Sequence, residues 1–438
     1  MPNTALNYSL TYSEQYQQKL CTPAQAAATV ISGEHLCFPI CAGEPTLFVQ
    51  ALADRKQELA GVVVNQQHHL NPAYLNEESV PHIKVNSWFT SGVSRKAVQN
   101  GWADFVPNYF HEVPKLLREY WPVDVAGTVV SPMDEHGYFT CSLSVAYTME
   151  AIKKAKRVVL QVNPNAPRTY GNCHIHISQV DHIIECNDPI IELKSPVVTS
   201  VEEAIGAHIA ELIENGSTLQ LGIGGIPNAV CRALMNKKDL GIHTEMMTDG
   251  MVDLMQCGAV NNSKKITHTG KSIGTFALGS KRLYDFMNEN PMIEMHPVDY
   301  TNDPYNIGKN ERVVSINATI ELDLLGQCCS ESLGLVQWSG TGGQADFVRG
   351  ANISNGGKSF ITTASTAKKG TVSSIVPSLK AGAAVTTGKN DVDYVVTEFG
   401  VAKLRGQTAR QRALNLIGIA HPDFRAELMD AAKKMHRI

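Results

Sequence analysis

Three stretches of this chain combine residue types suited to chemistry on an acyl group. LGIGGIPNAVCRALM (221–235) passes from an apolar, strand-like run into a helix-like one through Gly222, Gly224 and Gly225. Glycines let a backbone approach a ligand closely or take positive φ. Pro227 suits a first helical turn, and free amides at a helix start attract phosphate, carboxylate or a developing oxyanion. GIHTEMMTDG (241–250) then sets one carboxylate, Glu245, in a nearly uncharged stretch between a His–Thr pair and two methionines. Further on, SGTGGQADFVRGANISNGGKSF (339–360) supplies a second glycine loop, with Gly340, Gly342 and Gly343 ahead of Asp346, Phe347 and Arg349. A carboxylate is a weak nucleophile, so it attacks an acyl carbon usefully only where positioned donors stabilise the tetrahedral oxyanion. Two glycine loops meeting over one acid would supply those donors. The plainer readings are a tight strand–helix turn and a solvated loop glutamate.

Two other chemistries fit parts of the pattern. Gly222-x-Gly224 followed by Glu245, 21 residues past Gly224, imitates a dinucleotide-binding turn with its ribose-binding acid. Against it, Pro227 occupies the third glycine position, and DLGIHT before Glu245 is no apolar strand. CHIHISQVDHIIEC places His174 and His176 at strand spacing, with His182 and Cys186 beyond. A zinc site there needs two further ligands at a separation the sequence does not fix. The reading adopted is a half-buried histidine pair on a strand, with no metal.

The elements that must carry these residues alternate in type. VVLQVN (158–163), EEAIGAHIAELIE, STLQLGI and NAVCRALMNKK read as strand, helix, strand, helix, which predicts α/β architecture with largely parallel sheets. At 438 residues the chain exceeds one ordinary core. NDPIIELKSPVVTS (187–200) carries two prolines and reads as a connector, and the Ser200/Glu203 spacing predicts a capped helix from about residue 201. The expected domains are therefore 1–190 and 200–438. These halves share punctuation: SGEHLCFPICAGEP pairs with NGSTLQLGIGGIP, WFTSGVSRKAV with FALGSKRLYDF, and SPMDEHGYFTCSLS with IELDLLGQCCSES. Aligning Gly33 with Gly216, Gly92 with Gly279 and Gly137 with Gly326 gives separations of 183, 187 and 189 residues, the mark of an internal duplication.

Bulk properties narrow the function class. Hydrophobic content of 43% and charged content of 18% describe a globular protein with an ample core. A net charge of −4 without basic runs argues against nucleic acid as a partner. No signal-peptide pattern opens the chain, and no uncharged apolar run nears the ~18 residues of a membrane span, so a cytoplasmic, membrane-free protein is expected. Ten cysteines without a C-x-x-C pair then read as reduced, mostly packed thiols.

GIGGIP, GIHTEMMTDG and GTGGQADFVRGA, in this order, resemble the acetyl-CoA hydrolase/transferase group of family I coenzyme A transferases. The likeness is greatest to 4-hydroxybutyrate CoA-transferases and butyryl-CoA:acetate CoA-transferases. SRKAVQNGWADFVPNYFHEVPKLL (94–117), SPMDEHGYF (131–139) and NPNAPRTYG (163–171) extend it over nearly the whole chain. The resemblance implies two similar open α/β CoA-transferase domains. It puts Glu245 where the family carries its nucleophilic glutamate. Gly222, Ile223, Gly224, Gly225 and Ile226 match the CoA-binding turn. Gly342 and Gly343 match the loop whose amides help bind CoA and the reacting oxygens, and Lys368 is the candidate for a basic CoA contact. It further implies ping-pong transfer of CoA between short-chain acyl-CoAs and carboxylates through a glutamyl-CoA thioester, with 4-hydroxybutyrate or butyrate and acetate as substrates. Coenzyme A enters as a cosubstrate, no cofactor is permanently bound, and a homodimer or larger homo-oligomer is expected. An acyl-CoA hydrolase on the same scaffold and a non-catalytic CoA- or nucleotide-binding sensor are the alternatives.

Overall fold

A computed structural model describes residues 10–438. The chain divides into two compact units. One comprises residues up to Leu193 together with Gly274–Tyr300, and the other Lys194–Ile273 with Thr301–Ile438. The expected boundary near residue 190 is thus close to the first change of unit, but Gly274–Tyr300 departs from the 200–438 assignment by packing with the first unit.

The first unit is built on seven parallel strands: β1 (His35–Cys37), β2 (Val62–Gln67), β3 (Ile83–Phe89), β4 (Ala103–Phe105), β5 (Val125–Val130), β6 (Arg157–Val162) and β7 (His182–Glu185). Their spatial order is β7-β6-β5-β1-β2-β3-β4. β5 reads VAGTVV and is buried throughout, as a strand covered on both faces must be. Leu36, Phe38, Phe48, Val64, Val85 and Val159 meet in the core of this unit.

The second unit has six strands: β8 (Thr218–Leu221), β9 (Gly241–Ile242), β10 (Val313–Ala318), β11 (Lys358–Thr362), β12 (Tyr394–Thr397) and β13 (Gly400–Lys403). They lie in the order β9-β8-β10-β11-β12-β13, parallel except for β13, which closes one edge antiparallel. Leu322, Ile361, Val395, Leu404 and Leu416 belong to an apolar cluster in its core.

Removing β3 and β4 from one sheet and β13 from the other leaves the same five-strand order, second-first-third-fourth-fifth. The duplication is therefore a repeat of topology. Two of the three sequence anchors mark equivalent places. Gly33 (φ 82) and Gly216 (φ 76) both turn the chain just ahead of the first strand of their sheet. Asp134 and Asp323 open matching turns after the third strand. Each carboxylate accepts from the second and fourth following N–H groups, Asp134 from His136 and Tyr138, and Asp323 from Leu325 and Gln327. Gly137 and Gly326 close those turns at φ 81 and 87. The Gly92–Gly279 pairing fails: Gly92 follows β3 of the seven-stranded sheet, whereas Gly279 follows a two-residue strand, Phe276–Ala277, outside the six-stranded one.

Helix α1 (Ser200–Leu212) opens the second unit proper, and its cap lies one residue earlier than the spacing suggested. Thr199 Oγ1 accepts from Glu202 N at 3.3 Å, and Glu202 Oε2 accepts from Thr199 N at 2.8 Å. Its buried stripe Ile205, Gly206, Ile209 and Ala210 packs α1 against α2 (Gly225–Ala233), the helix that follows the first glycine turn. Gly206 permits the approach, since a Cβ there would stand 2.8 Å from Ala229 Cβ and 3.0 Å from its backbone carbon. Among the described residues, no helix is long and apolar enough to cross a membrane. All ten cysteines are free thiols, and only Cys257 is exposed. His174 and His176 form a short strand as expected. Their Nδ1 atoms lie 3.2 Å from Gly171 O and 2.8 Å from Ser178 Oγ, and among the described residues neither joins a set of potential metal ligands.

Because α1 and α2 touch through backbone at Gly206, Gly206→Ala is expected to destabilise the second unit by about 1–3 kcal/mol through overpacking. A lower urea midpoint checks this; an unchanged midpoint would show that the helices separate at no cost.

Candidate active site

The second unit gathers its chemistry-bearing residues at the carboxyl ends of β8 and β9. These strands run parallel in register, Leu219 opposite Ile242. Leu221 leads into Gly222, Ile223 and Gly224, and then α2 begins at Gly225. Gly224 lies at φ 116, ψ −176, a conformation open in practice only to glycine. Gly222 and Gly224 face open space where a Cβ would be, whereas a Cβ at Gly225 would overlap the Glu202 carboxyl. Ile223 is 47% exposed and Ile226 partly so. The turn therefore presents backbone rather than side chains, and Pro227 within the first turn of α2 has no N–H to satisfy.

Glu245 follows β9 and is tied to the same edge. His243 N donates to Leu219 O at 3.1 Å, and Thr244 Oγ1 donates to Leu221 O at 3.2 Å. The Glu245 side chain meets the second glycine loop. A Cβ on Gly343 would overlap Glu245 Oε2 and lie 2.6 Å from Asn302 Nδ2. Gly342, at φ 56, makes the bend, and Gly343 is the N-cap residue of α3 (Gln344–Ile353). The structure thus brings Glu245 and Gly343 into contact, with the Gly222–Ile226 turn starting from the adjoining strand end. Lys368 stands apart in character. It sits exposed, at φ 48, in the turn joining Thr366–Ala367 to Val372–Ser373, and no hydrogen bond or ion pair links it to Glu245 among the described residues.

Two further residues complete the arrangement. Asn302, fully buried, donates from Nδ2 to Glu245 Oε2 at 2.8 Å and to Asp346 Oδ2 at 3.4 Å. Asp346, also fully buried, projects from the first turn of α3. His243 braces both: its Nε2 lies 2.8 Å from Thr301 O, and its ring meets Phe347 edge-on with centroids 6.3 Å apart. Sequence reasoning placed Asp346 beside the glycine loop without giving it a role, and it passed over Asn302 altogether. TNDP reads as a turn, and nothing local marks it as a partner for an acid 57 residues away.

Glu245 keeps partial surface exposure, yet protein atoms crowd its carboxyl group, and it is this crowding that governs its proton affinity. Burial pushes its pKa up to about 7; the Asn302 amide and the Gly343 N–H pull it down, and the like charge of Asp346 raises it. A carboxylate bound by two N–H donors, with no cation among these influences, is left un-neutralised once it has lost its proton. It can attack an electrophilic carbon, and the amides against it can receive negative charge on oxygen.

Chemistry that uses the ionised form of Glu245 should gain activity as pH rises through about 7, the value to which burial lifts this group. Initial rates between pH 5.5 and 9 test this; an acid limb centred near the ordinary carboxylate range would contradict the burial argument. Gly343→Ala should reduce activity by roughly a hundredfold or more, because its methyl takes the place of the carboxylate oxygen and disturbs the donors facing it. Circular dichroism should remain close to that of the parent, since the added atom enters the site and not the core.

Residues 5–193 match the acetyl-CoA hydrolase/transferase N-terminal domain and residues 279–432 the corresponding C-terminal domain. The succinyl-CoA:cyclohexane-1-carboxylate CoA transferase of Geobacter metallireducens is 76% identical over 99% of each chain. The 4-hydroxybutyrate coenzyme A transferase of Clostridium kluyveri is 49% identical over 97% of this chain and 100% of its own. The crystal structure of RipA from Yersinia pestis superposes with a TM-score of 0.93 at 41% identity, covering 98% of this chain and all of that one. The chain belongs to the acetyl-CoA hydrolase/transferase family.

Proposed function

We propose that this enzyme moves CoA between an acyl-CoA and a free carboxylate, with Glu245 as the nucleophile. The observation that carries the reading is one ionisable carboxylate set against Gly343 and Asn302 N–H donors, with no basic partner among the described residues. A Glu245 oxygen attacks the thioester carbon, the C–S bond breaks, and CoA thiolate leaves an acyl-glutamyl anhydride. The thiolate then attacks the glutamyl carbonyl, the acid product departs as carboxylate, and a glutamyl-CoA thioester remains. An incoming carboxylate runs the same steps in reverse. The cycle consumes no oxidant, reductant or metal. The Gly222–Ile226 turn and the Gly342–Gly343 loop are proposed to hold CoA, whose binding energy can be used to reach the transition state. Lys368, on its exposed turn, is offered for a CoA phosphate on the family resemblance alone, a homodimer rests on the same ground, and a cytoplasmic location is carried over from the sequence reading.

Acceptor choice follows the relatives. The 76% identical protein is named for succinyl-CoA and cyclohexane-1-carboxylate, which makes this pair the first proposal. The sequence reading, 4-hydroxybutyrate or butyrate with acetate, is the second, in line with the 49% identical relative named for 4-hydroxybutyrate.

Incubation with succinyl-CoA, with and without cyclohexane-1-carboxylate, should yield cyclohexanecarbonyl-CoA only when the acid is present, with little free thiol. Double-reciprocal plots should be parallel. Free thiol released at an acid-independent rate identifies a hydrolase, and CoA retention without either product identifies a binding protein. Butyryl-CoA with acetate serves as the comparison pair, and a higher kcat/KM there would reverse the order of the two acceptors.

A further inference from the structure

Resting on Glu245 as nucleophile, we propose that Asp346 is a positioning residue: it keeps the Asn302 N–H aimed at the Glu245 oxygen through the covalent stages of the cycle.

Asn302 has one nitrogen and two carboxylates to serve. Nδ2 reaches Glu245 Oε2 at 2.8 Å and Asp346 Oδ2 at 3.4 Å, one hydrogen for each. The other end of the same amide, Oδ1, is buried and makes no hydrogen bond. A buried acceptor left unsatisfied costs roughly 1–3 kcal/mol, a cost this orientation bears. Turning it would place Oδ1 against two carboxylate oxygens, and that repulsion fixes the observed orientation.

The restraint matters most once Glu245 has reacted. As a free carboxylate, Glu245 holds the Asn302 N–H by its own charge. As an anhydride or thioester it carries no charge, and its carbonyl oxygen is a weaker acceptor. Yet it is then that the glutamyl carbonyl must be attacked, and its oxygen must take up negative charge in the tetrahedral state. Asp346 does not react, so its hold on Asn302 persists when that of Glu245 fades. The Gly343 N–H is placed by the backbone and needs no such help, whereas a side-chain amide does. Asp346 is itself well supported: it stands in the first turn of α3, where the helix dipole favours negative charge, and Phe347 beside it packs on His243. His243 also holds Thr301, next to Asn302, so the donor and its restraint share one brace.

Two substitutions separate positioning from mere structure. Asp346→Ala removes the acceptor and should lower kcat by about 10–100-fold, less than the loss of a whole oxyanion donor, while KM for both substrates stays within about twofold. Asp346→Asn keeps an acceptor oxygen and should recover much of that loss. It also removes the charged neighbour from Glu245, so the acid limb of the pH profile should move to lower pH. The charged group that acts on Glu245 is Asp346 on α3, and the ring of His243, two residues before Glu245, is engaged with Thr301. Equal losses in both variants with an unmoved acid limb would overturn the proposal, as would full activity in Asp346→Ala. Glu245→Ala is the separate control. If it retains transfer, the nucleophile assignment fails. If it is dead while Asp346→Ala is normal, only the positioning role fails.

Discussion

A nucleophilic carboxylate, the role proposed for Glu245, has to be ionised without being neutralised, and the surroundings of Glu245 fit that requirement. Water would ionise it but would also hydrolyse an anhydride. A lysine or arginine partner would ionise it but would hold the electron pair that must attack. What remains is N–H donation from uncharged groups, here Asn302 and Gly343, in a crowded environment that keeps proton affinity high. The nearby charge is of the same sign, Asp346, which makes the carboxylate more basic. Raised basicity and open access to an oxygen are both properties of a better nucleophile, and an ion pair would have removed both.

The architecture supplies such donors readily. In a parallel sheet with helices on its faces, strand carboxyl ends and helix amino ends meet along one edge. In the second unit that edge brings together the end of β8, the end of β9 and the start of α3. The first unit repeats the same five-strand order and the same aspartate turn after its third strand, but its second strand is followed by His68, His69 and Leu70, where the second unit carries Glu245 after its own. Duplication of topology thus did not require duplication of chemistry. The conserved quantity is the sheet order with its turns, and the acid was placed on one copy.

How much of this could be read along the chain depended on the range of each interaction. The glycine turn, Glu245 and the second glycine loop each carry a local signature, so they stood out and the fold brought Glu245 and Gly343 together. Asn302 has no such signature, because its role comes from contact with Glu245 and Asp346 across long stretches of sequence. Asp346 lay within a motif that was noticed for its glycines. Domain limits suffered in a similar way: Gly274–Tyr300 carries punctuation resembling that after Gly92, but its packing is with the first unit, and only tertiary contacts record that. The helix cap moved by one residue because Thr199 and Ser200 are both competent caps, and spacing to Glu202 or Glu203 cannot choose between them.

Glycine shows why a motif is not yet a mechanism. Gly224, Gly225 and Gly343 look alike in sequence and meet three different demands. Gly224 has room for a side chain but not the backbone angle for one. Gly225 has an ordinary helical backbone, but a Cβ would strike the Glu202 carboxyl that caps α1, so its constraint is helix packing. Gly343 has an ordinary φ of −91° and is small because a Glu245 carboxylate oxygen occupies the space beside it. Only the last of these is a demand of the carboxylate itself. The first shapes the surface offered to a ligand, and the second keeps the helix behind that surface in place. A glycine-rich signature therefore records an overlay of conformational, packing and reactive constraints, and it is their coincidence on one sheet edge that makes the edge a site.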